Sequence, residues 1–190
     1  TQLGKELEKI GSRVMGSENH AKVGIIFDWE NYWALEYTSG PNRDLRYVDQ
    51  IEQMYNYFYN KNIAVDMIPI DADFSKYDLV AAPVLYMVKD GVAESLEAYV
   101  QAGGTLITTY MSGIVGQSDN VHLGGYPGPL RKMAGVWVEE IDALAPEQRN
   151  KIRFADGTEE ECRLVCDLMH LEGAEEIAQY ESDFYACLLY

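Results

Sequence analysis

Apolar residues near the amino terminus of the chain have helical spacing. They follow one another at intervals of four, three and four residues: Leu3, Leu7, Ile10 and Val14. Such intervals place side chains on one face of an α-helix. Gly16 and Ser17 come next and favour the end of a helix. The pattern predicts an amphipathic helix that ends before Gly16.

Short apolar runs then alternate with segments of helical spacing. The runs are bounded by Gly or Pro and predict four buried strands, at residues 23–27, 63–68, 79–82 and 105–109. Helical spacing predicts helices at residues 46–59 and 92–101. Because strands that alternate with helices are joined by right-handed crossovers, we expect an α/β fold with a mostly parallel sheet.

The last third of the chain has a different pattern. Residues 137–141 and 177–180 are predicted strands, and residues 151–154 and 162–167 flank a turn at Asp156-Gly157. This dipeptide suits the positive φ angles of hairpin turns, so we expect an antiparallel hairpin appended to the α/β layer. No internal repeat or low-complexity linker interrupts residues 18–190, which favours a single domain there.

Composition argues against several classes of partner. The 190 residues are 47% hydrophobic and carry a formal net charge of −16. Phosphate binding needs clustered Lys and Arg, so this charge disfavours nucleic acid and anionic membrane surfaces. The three cysteines, Cys162, Cys166 and Cys187, leave at least one thiol unpaired, and no signal-peptide pattern opens the chain, which together favour a cytoplasmic protein.

The same residues argue against a metal or a cofactor. Cys162-x-x-x-Cys166 has no second ligand pair at zinc-finger spacing, so buried or half-buried thiols are the better interpretation. We expect no metal site and no cofactor.

No apolar run in the sequence approaches the ~20 residues that a helix needs to span a bilayer.

The segment after the first predicted strand holds the main candidate site. It carries carboxylates and aromatic rings in what we expect to be a loop: Asp28, Trp29, Glu30, Tyr32 and Trp33. Because partners dock outside the carboxyl ends of parallel strands, we expect a subunit interface or part of a neighbouring cleft here. Trp29 is the strongest anchor candidate. Trp33 and Tyr37, four residues apart, alternatively pack into the domain as one helical face.

The carboxylates of Asp28 and Glu30 have two interpretations. Retaining glycosidases use two carboxyl groups about 5–5.5 Å apart, and residues two apart at a strand end can approach that separation. The simpler interpretation, which we favour, is that these carboxylates cap helices, form ion pairs with Arg43 or Arg46, or face solvent.

A second candidate segment follows the fourth predicted strand. Met111, His122 and Tyr126 accompany a run rich in Gly and Pro, at residues 123–129. This run lacks the Gly-Lys-Ser/Thr ending of a P-loop and the spacing of a dinucleotide fingerprint, so we expect a contact loop rather than a nucleotide site. His122 has no His or Cys partner at ligand spacing, which disfavours a metal there.

These segments resemble a known family. Leu3-Gly4-Lys5-Glu6-Leu7, residues 22–36, Met111-Ser112-Gly113-Ile114-Val115 and residues 122–128 are similar, in this order, to the trimerisation domain of glycoside hydrolase family 42 β-galactosidases. The resemblance implies a non-catalytic domain with a three-layer, flavodoxin-like or class I glutamine amidotransferase-like fold. It implies that residues 1–17 are a linker helix from a TIM-barrel domain absent from this chain.

The partners implied by the resemblance are two further copies of the chain and the catalytic barrel. The parent enzyme would hydrolyse terminal non-reducing β-D-galactose residues with two barrel glutamates, so galactoside would be reached only through the parent. One segment departs from the family: Cys187-Leu188-Leu189-Tyr190 does not lead into the expected closing hairpin, so the last strands of the sheet are expected to be missing.

Two alternatives belong to other classes of protein. An amidotransferase-like fold would place a nucleophile at Tyr110-Met111-Ser112-Gly113, which has no cysteine and no Gly-x-Ser-x-Gly elbow. His170-x-Glu172 is similar to the His-x-Glu pair of amidotransferases, so Ser112 with this pair is the alternative enzyme site, although Ser112 is more simply a cap of a helix or turn. A carbohydrate-binding module would use Trp29 and Trp33.

Overall fold

A parallel sheet of four strands lies at the centre of the amino-terminal part of the protein. The computed structural model describes residues 1–38, 40–181 and 188–189. The sheet has the order β2-β1-β3-β4, with the strands β1 (Val23–Ile26), β2 (Val65–Ile68), β3 (Leu79–Ala82) and β4 (Thr105–Thr108). All pairs are parallel. The four predicted strands and the mostly parallel α/β arrangement are confirmed.

Within the described residues, five α-helices accompany the sheets: α1 (Gln2–Val14), α2 (Trp29–Tyr37), α3 (Tyr47–Tyr59), α4 (Val92–Gln101) and α5 (Arg131–Ala134). Short 3-10 helices cover Phe74–Lys76 and Gly128–Leu130. The predicted helices before β1, before β2 and before β4 are confirmed. In the part of the chain that the structure describes, no helix has the length and apolarity needed to cross a bilayer.

Two apolar cores lie on opposite faces of the parallel sheet. Ile25 packs with Ile51 and Phe58 of α3, whereas Ile26 packs with Leu96 and Tyr99 of α4. Successive side chains of a strand point to opposite faces, so α3 and α4 cover different faces of the sheet. The continuous apolar runs of β1 and β3 follow from this double coverage.

The carboxyl-terminal part forms an antiparallel sheet of six strands, larger than the predicted hairpin. Its order is β5-β8-β10-β9-β6-β7, with β5 (Val136–Ala143), β6 (Asn150–Phe154), β7 (Glu159–Cys162), β8 (Val165–Leu171), β9 (Ala178–Tyr180) and β10 (Leu188–Leu189). The predicted turn at Asp156-Gly157 does join β6 and β7. The prediction of one strand over residues 162–167 is wrong, because Leu164 has a φ of 77° and interrupts the chain between β7 and β8.

The expectation that the closing strands are missing stays a prediction, and the last strand within the described residues is Leu188–Leu189. These residues pair with β8 and β9 in the middle of the antiparallel sheet. Cys187 and Tyr190, the other residues of that segment, lie outside the described residues, as does Ser39.

Candidate interface at the carboxyl edge of the parallel sheet

The segment after β1 is a helix, not the loop that we predicted. Asp28 has extended backbone angles and its carboxylate accepts a hydrogen bond from the backbone N–H of Asn31, at 3.1 Å. This is the geometry of an N-cap, and a negative charge at this end of a helix is favourable. Asp28 therefore caps α2 two residues after the end of β1, and Trp29 and Glu30 occupy the first turn of the helix.

Lys89 forms ion pairs with both carboxylates of this segment. Its Nζ lies 2.8 Å from Oδ1 of Asp28 and also contacts the carboxylate of Glu30. Burial by itself would lower the pKa of Lys89, but its hydrogen bonds with Asp28 and Glu30 outweigh that effect and raise it. The predicted partners are wrong: Arg46 pairs with Glu36, and Arg43 with its neighbour Asp44. The expected roles of cap and ion pair are confirmed.

Asn31 links α2 by hydrogen bonds to the segment that follows β3. Sequence reasoning did not identify this role. The side chain of Asn31 has no exposed surface. Its Nδ2 donates to the carbonyl of Val84 at 3.0 Å, and its Oδ1 accepts from the N–H of Met87 at 2.8 Å. The available signal was a polar residue on the inward side of a helix, next to buried Ala34.

Aromatic side chains cover the outer surface of α2. We call Trp29, Trp33 and Tyr37 the α2 aromatic face; their exposed fractions are 60%, 52% and 87%. Trp29 stands edge-on against Phe27, with ring centroids 4.9 Å apart. The alternative in which Trp33 and Tyr37 pack inside the domain is wrong. Grouped exposed aromatic side chains are typical of interaction surfaces.

Tyr32 and Tyr47 support this face from below. Tyr47 is buried, and its ring centroid lies 6.3 Å from that of Tyr32, which is half-buried. The Tyr47 hydroxyl donates to the carbonyl of Ile26 and accepts from the N–H of Asp28. Burial raises the pKa of Tyr47 to about 12, so the hydroxyl stays protonated at neutral pH. The exposed rings therefore lie above aromatic side chains that burial and hydrogen bonds hold in place.

The second candidate segment lies at the same edge of the sheet. The residues after β3 connect the two segments, because Asn31 binds Val84 and Met87 while the N–H of Leu85 donates to the Ser112 hydroxyl at 3.2 Å. Met111 is buried, with a φ of 55°. The strands β1 and β4 are not neighbours, because β3 lies between them, so the segments after β1 and β4 are linked through the residues after β3.

Asp167 of β8 connects this edge to the antiparallel sheet. Its Oδ2 accepts from the N–H of Met111 at 3.2 Å, and its Oδ1 accepts from the hydroxyl of Tyr126 at 3.3 Å. Burial raises the pKa of Asp167 to about 6. Tyr126 and His122 are half-buried, so Trp29, Trp33 and Glu30 are the predicted site residues that the structure leaves exposed.

The run of residues 123–129 packs backbone to backbone against the segment after β4. A Cβ atom on Gly113 would lie 2.0 Å from the carbonyl oxygen of Pro127, and one on Gly128 would lie 2.6 Å from that of Gly113. Leu123, at 97% exposure, is the most open apolar side chain of this run. The backbone N–H of His122 donates to the carbonyl of Ile114, while its Nε2 is buried and has no hydrogen-bond partner among the described residues.

The alternative enzyme site is not assembled. The Ser112 hydroxyl donates to the carbonyl of Thr109 at 2.7 Å, as a turn residue does. His170 stacks on Trp137 and its Nε2 lies 2.6 Å from the carboxylate of Glu139. Glu172 forms a bidentate pair with Arg131. Serine, histidine and glutamate each serve a different local contact, so these three residues do not form a triad.

Cys162 is half-buried and Cys166 is buried, as expected of these two thiols. Among the described residues, no group of three or more His, Cys, Asp and Glu side chains is placed to hold a metal ion.

The fold and this edge define an α/β interaction domain, in which buried polar residues hold the segments together and aromatic residues of α2 are exposed. A protein-family model described as "Beta-galactosidase trimerisation domain" matches residues 21–187. The chain belongs to this family.

Relatives in this family share about half of the sequence. Beta-galactosidase LacZ of Lactobacillus acidophilus is 51% identical over 184 residues, which are 97% of this chain and 27% of the relative. The crystal structure of a β-galactosidase from Bacillus circulans sp. alkalophilus has a TM-score of 0.93 and 46% identity over 97% of this chain and 28% of its own. The structure of Gan42B, a GH42 β-galactosidase, has a TM-score of 0.88 and 38% identity, and the match covers 97% of this chain and 27% of Gan42B. The chain thus spans just over a quarter of the length of the relatives it matches.

Proposed function

We propose that this chain is the assembly domain of a β-galactosidase and holds three subunits together. The α2 aromatic face carries the proposal, because three exposed aromatic rings lie together on a braced helix in a member of the trimerisation-domain family. A homotrimer would bury them, and truncation of a buried aromatic anchor typically costs about 2 kcal/mol or more at an interface. Glu30 lies on the same helix, and we include it and the run of residues 123–129 in the proposed contact.

The catalytic barrel of the same polypeptide is the second proposed partner. Leu3, Leu7, Ile10 and Val14 form a stripe along α1, and no residue of α1 is buried. An amphipathic helix gains stability by covering its apolar stripe, so residues 1–17 would be a linker helix that packs on the barrel, and residues 18–190 the trimerisation domain proper.

The proposed parent reaction is hydrolysis of terminal non-reducing β-D-galactose residues by glutamates of that barrel. This chain would contribute no catalytic group and no cofactor. The strand order β2-β1-β3-β4 supports a flavodoxin-like or class I glutamine amidotransferase-like fold, since the flavodoxin order begins in the same way. Three cysteines in a chain of this length support a cytoplasmic location, and the charge of −16 supports partners other than nucleic acid or membranes.

Sedimentation of the parent enzyme tests the proposal. Trp29→Ala should shift the parent from trimer toward monomer at micromolar concentration, with roughly thirtyfold weaker association at each contact. Tyr57→Ala is the matched control, because Tyr57 has 59% exposure but lies on α3, and it should leave the trimer intact.

Two results would contradict the proposal. Equal sedimentation of the Trp29→Ala variant and the parent enzyme would remove Trp29 from the interface. Saturable binding of galactose to the parent that is lost in Trp33→Ala, with the trimer unchanged, would instead favour a carbohydrate-binding surface.

A further inference from the structure

Two thiols meet at the junction of β7 and β8. Cys162 is the last residue of β7 and Cys166 is the second residue of β8. Their sulfur atoms lie 3.5 Å apart. The left-handed backbone of Leu164, with a φ of 77°, turns the chain so that these sulfurs face each other. None of the roles given above to this domain uses this pair.

We propose that Cys162 and Cys166 are a peroxide-reactive dithiol that closes to a reversible disulfide. A disulfide needs a sulfur–sulfur distance of about 2.05 Å, so the two atoms must approach by roughly 1.5 Å. Changes of side-chain rotamer or small shifts of the short connection between β7 and β8 supply movements of this size. The two positions are neighbours in the folded chain, and no distant segment has to move.

The environments of the two thiols assign their roles. Cys162 is half-buried and meets the oxidant, whereas Cys166 is only 2% exposed and acts afterwards. The hydrogen bond between the sulfurs lowers the pKa of Cys162, and the same bond together with burial raises the pKa of Cys166. Because the thiolate is the nucleophile, Cys162 attacks the peroxide first.

The chemistry balances with one peroxide. The Cys162 thiolate attacks a peroxide oxygen, an S–O bond forms and the O–O bond breaks, and the leaving hydroxide takes up a proton. The Cys166 sulfur then attacks the sulfur of the sulfenic acid, so that an S–S bond forms and the S–O bond breaks. The hydroxyl group leaves as water with the proton of Cys166. Two thiols are oxidised, hydrogen peroxide is reduced to two waters, and a thiol reductant restores the starting state.

The disulfide would fix a turn that ties the antiparallel sheet to the parallel layer. The carbonyl of Leu164, between the two cysteines, accepts from the N–H of Leu144 at 2.9 Å and from Nδ2 of Asn42 at 2.9 Å. Asn42 lies before α3 and also donates to the carbonyl of Leu144 at 3.0 Å. Closing the connection between β7 and β8 holds this acceptor in place.

Peptide mapping of the full chain tests the proposal. The protein is treated with excess hydrogen peroxide, remaining thiols are alkylated, and cleavage after glutamate releases residues 162–172 with both cysteines. The expected peptide is unalkylated and lighter by two hydrogen atoms. Trypsin then cuts after Arg163 and should add the mass of one water without separating the two pieces, whereas prior reduction should separate them.

Variants separate this pair from the third thiol. Cys187→Ser is the matched control and should give the same oxidised peptide. In Cys166→Ser the disulfide should be lost and Cys162 should be trapped as a sulfenic acid by dimedone, whereas Cys166 in Cys162→Ser should remain unlabelled. A link from Cys187 to either cysteine, or full alkylation of residues 162–172 after peroxide treatment of the intact chain, would overturn the proposal.

Discussion

Single polar side chains hold the candidate interface in place at the residue scale. Asn31 supplies two hydrogen bonds between α2 and the segment after β3, and Lys89 joins that segment to Asp28 and Glu30. Buried polar groups need partners, since an unpaired donor or acceptor retains its full desolvation cost. The aromatic face is therefore positioned by polar contacts beneath it.

Asn31→Ala should destabilise the protein by roughly 2–4 kcal/mol, because it leaves the carbonyl of Val84 and the N–H of Met87 without their partner. Urea denaturation measures the change. Asn56→Ala, at an exposed asparagine in the middle of α3, is the control and should cost less than about 1 kcal/mol. Equal losses for the two variants would show that the Asn31 contacts contribute little.

Asp167 should make stability fall as the pH rises. Burial raises its folded-state pKa to about 6, above the ordinary value of 3.8 for an aspartate, so the folded state binds the proton more tightly. This contribution is fully present below about pH 4 and is lost as the pH rises through about 6, at a cost of roughly 3 kcal/mol. Asp167→Asn should remove this slope from urea denaturation at pH 4 to 7, whereas Asp142→Asn, at an exposed site on β5, should retain it. An unchanged slope in Asp167→Asn would contradict the assignment.

At the scale of elements, local capping decided what periodicity could not. Residues 29–37 come directly after a predicted strand, and this position favoured a loop. The Asp28 cap and the inward-facing Asn31 make this segment a helix. Similarly, the left-handed backbone conformation of Leu164 divides the run that was predicted as one strand into the end of β7 and the start of β8.

Gly113→Ala should separate the segment after β4 from residues 123–129. A Cβ there would lie 2.0 Å from the carbonyl oxygen of Pro127, and the φ of 73° is strained for alanine as well. Gly124→Ala is the matched control, because Gly124 has a φ of 98° but no atom within 4 Å of the added Cβ. Thermal unfolding should show a loss of about 1–2 kcal/mol for Gly124→Ala and a larger loss for Gly113→Ala. Similar losses would mean that the two segments move apart freely.

At the scale of the whole molecule, charge opposes the proposed assembly. Three copies of a chain with net charge −16 carry −48 in total. Their repulsion is long-ranged at low salt and is screened within about 8–10 Å at physiological ionic strength. Association would therefore depend on buried aromatic and apolar surface, which salt does not weaken.

Trimer formation by the parent enzyme should strengthen as sodium chloride rises from about 0.01 to 0.15 M, as the screening length shortens from roughly 30 to 8 Å. Sedimentation velocity at a fixed micromolar concentration measures the shift. Weaker association at higher salt would indicate an interface held by ion pairs instead of the α2 aromatic face.

The sequence by itself determined the order and type of most elements and the family. Period-two and period-3.6 patterns are local, so β1 to β4, α3 and α4 were predictable to within two residues. The family motifs could likewise be recognised from the sequence, because each is a contiguous run of residues. The clustering of candidates at one sheet edge followed from the rule that parallel strands share a carboxyl end.

Only the tertiary structure decided which side chains meet and which remain exposed. Lys89 reaches Asp28 across 61 residues, and Asp167 reaches Met111 across 56. Such pairs depend on how whole layers pack, and local periodicity carries no information about them. The same holds for Trp29 and Trp33, because an aromatic residue suits a core as well as an interface, and only packing around Tyr47 and Phe27 leaves these two rings on the surface.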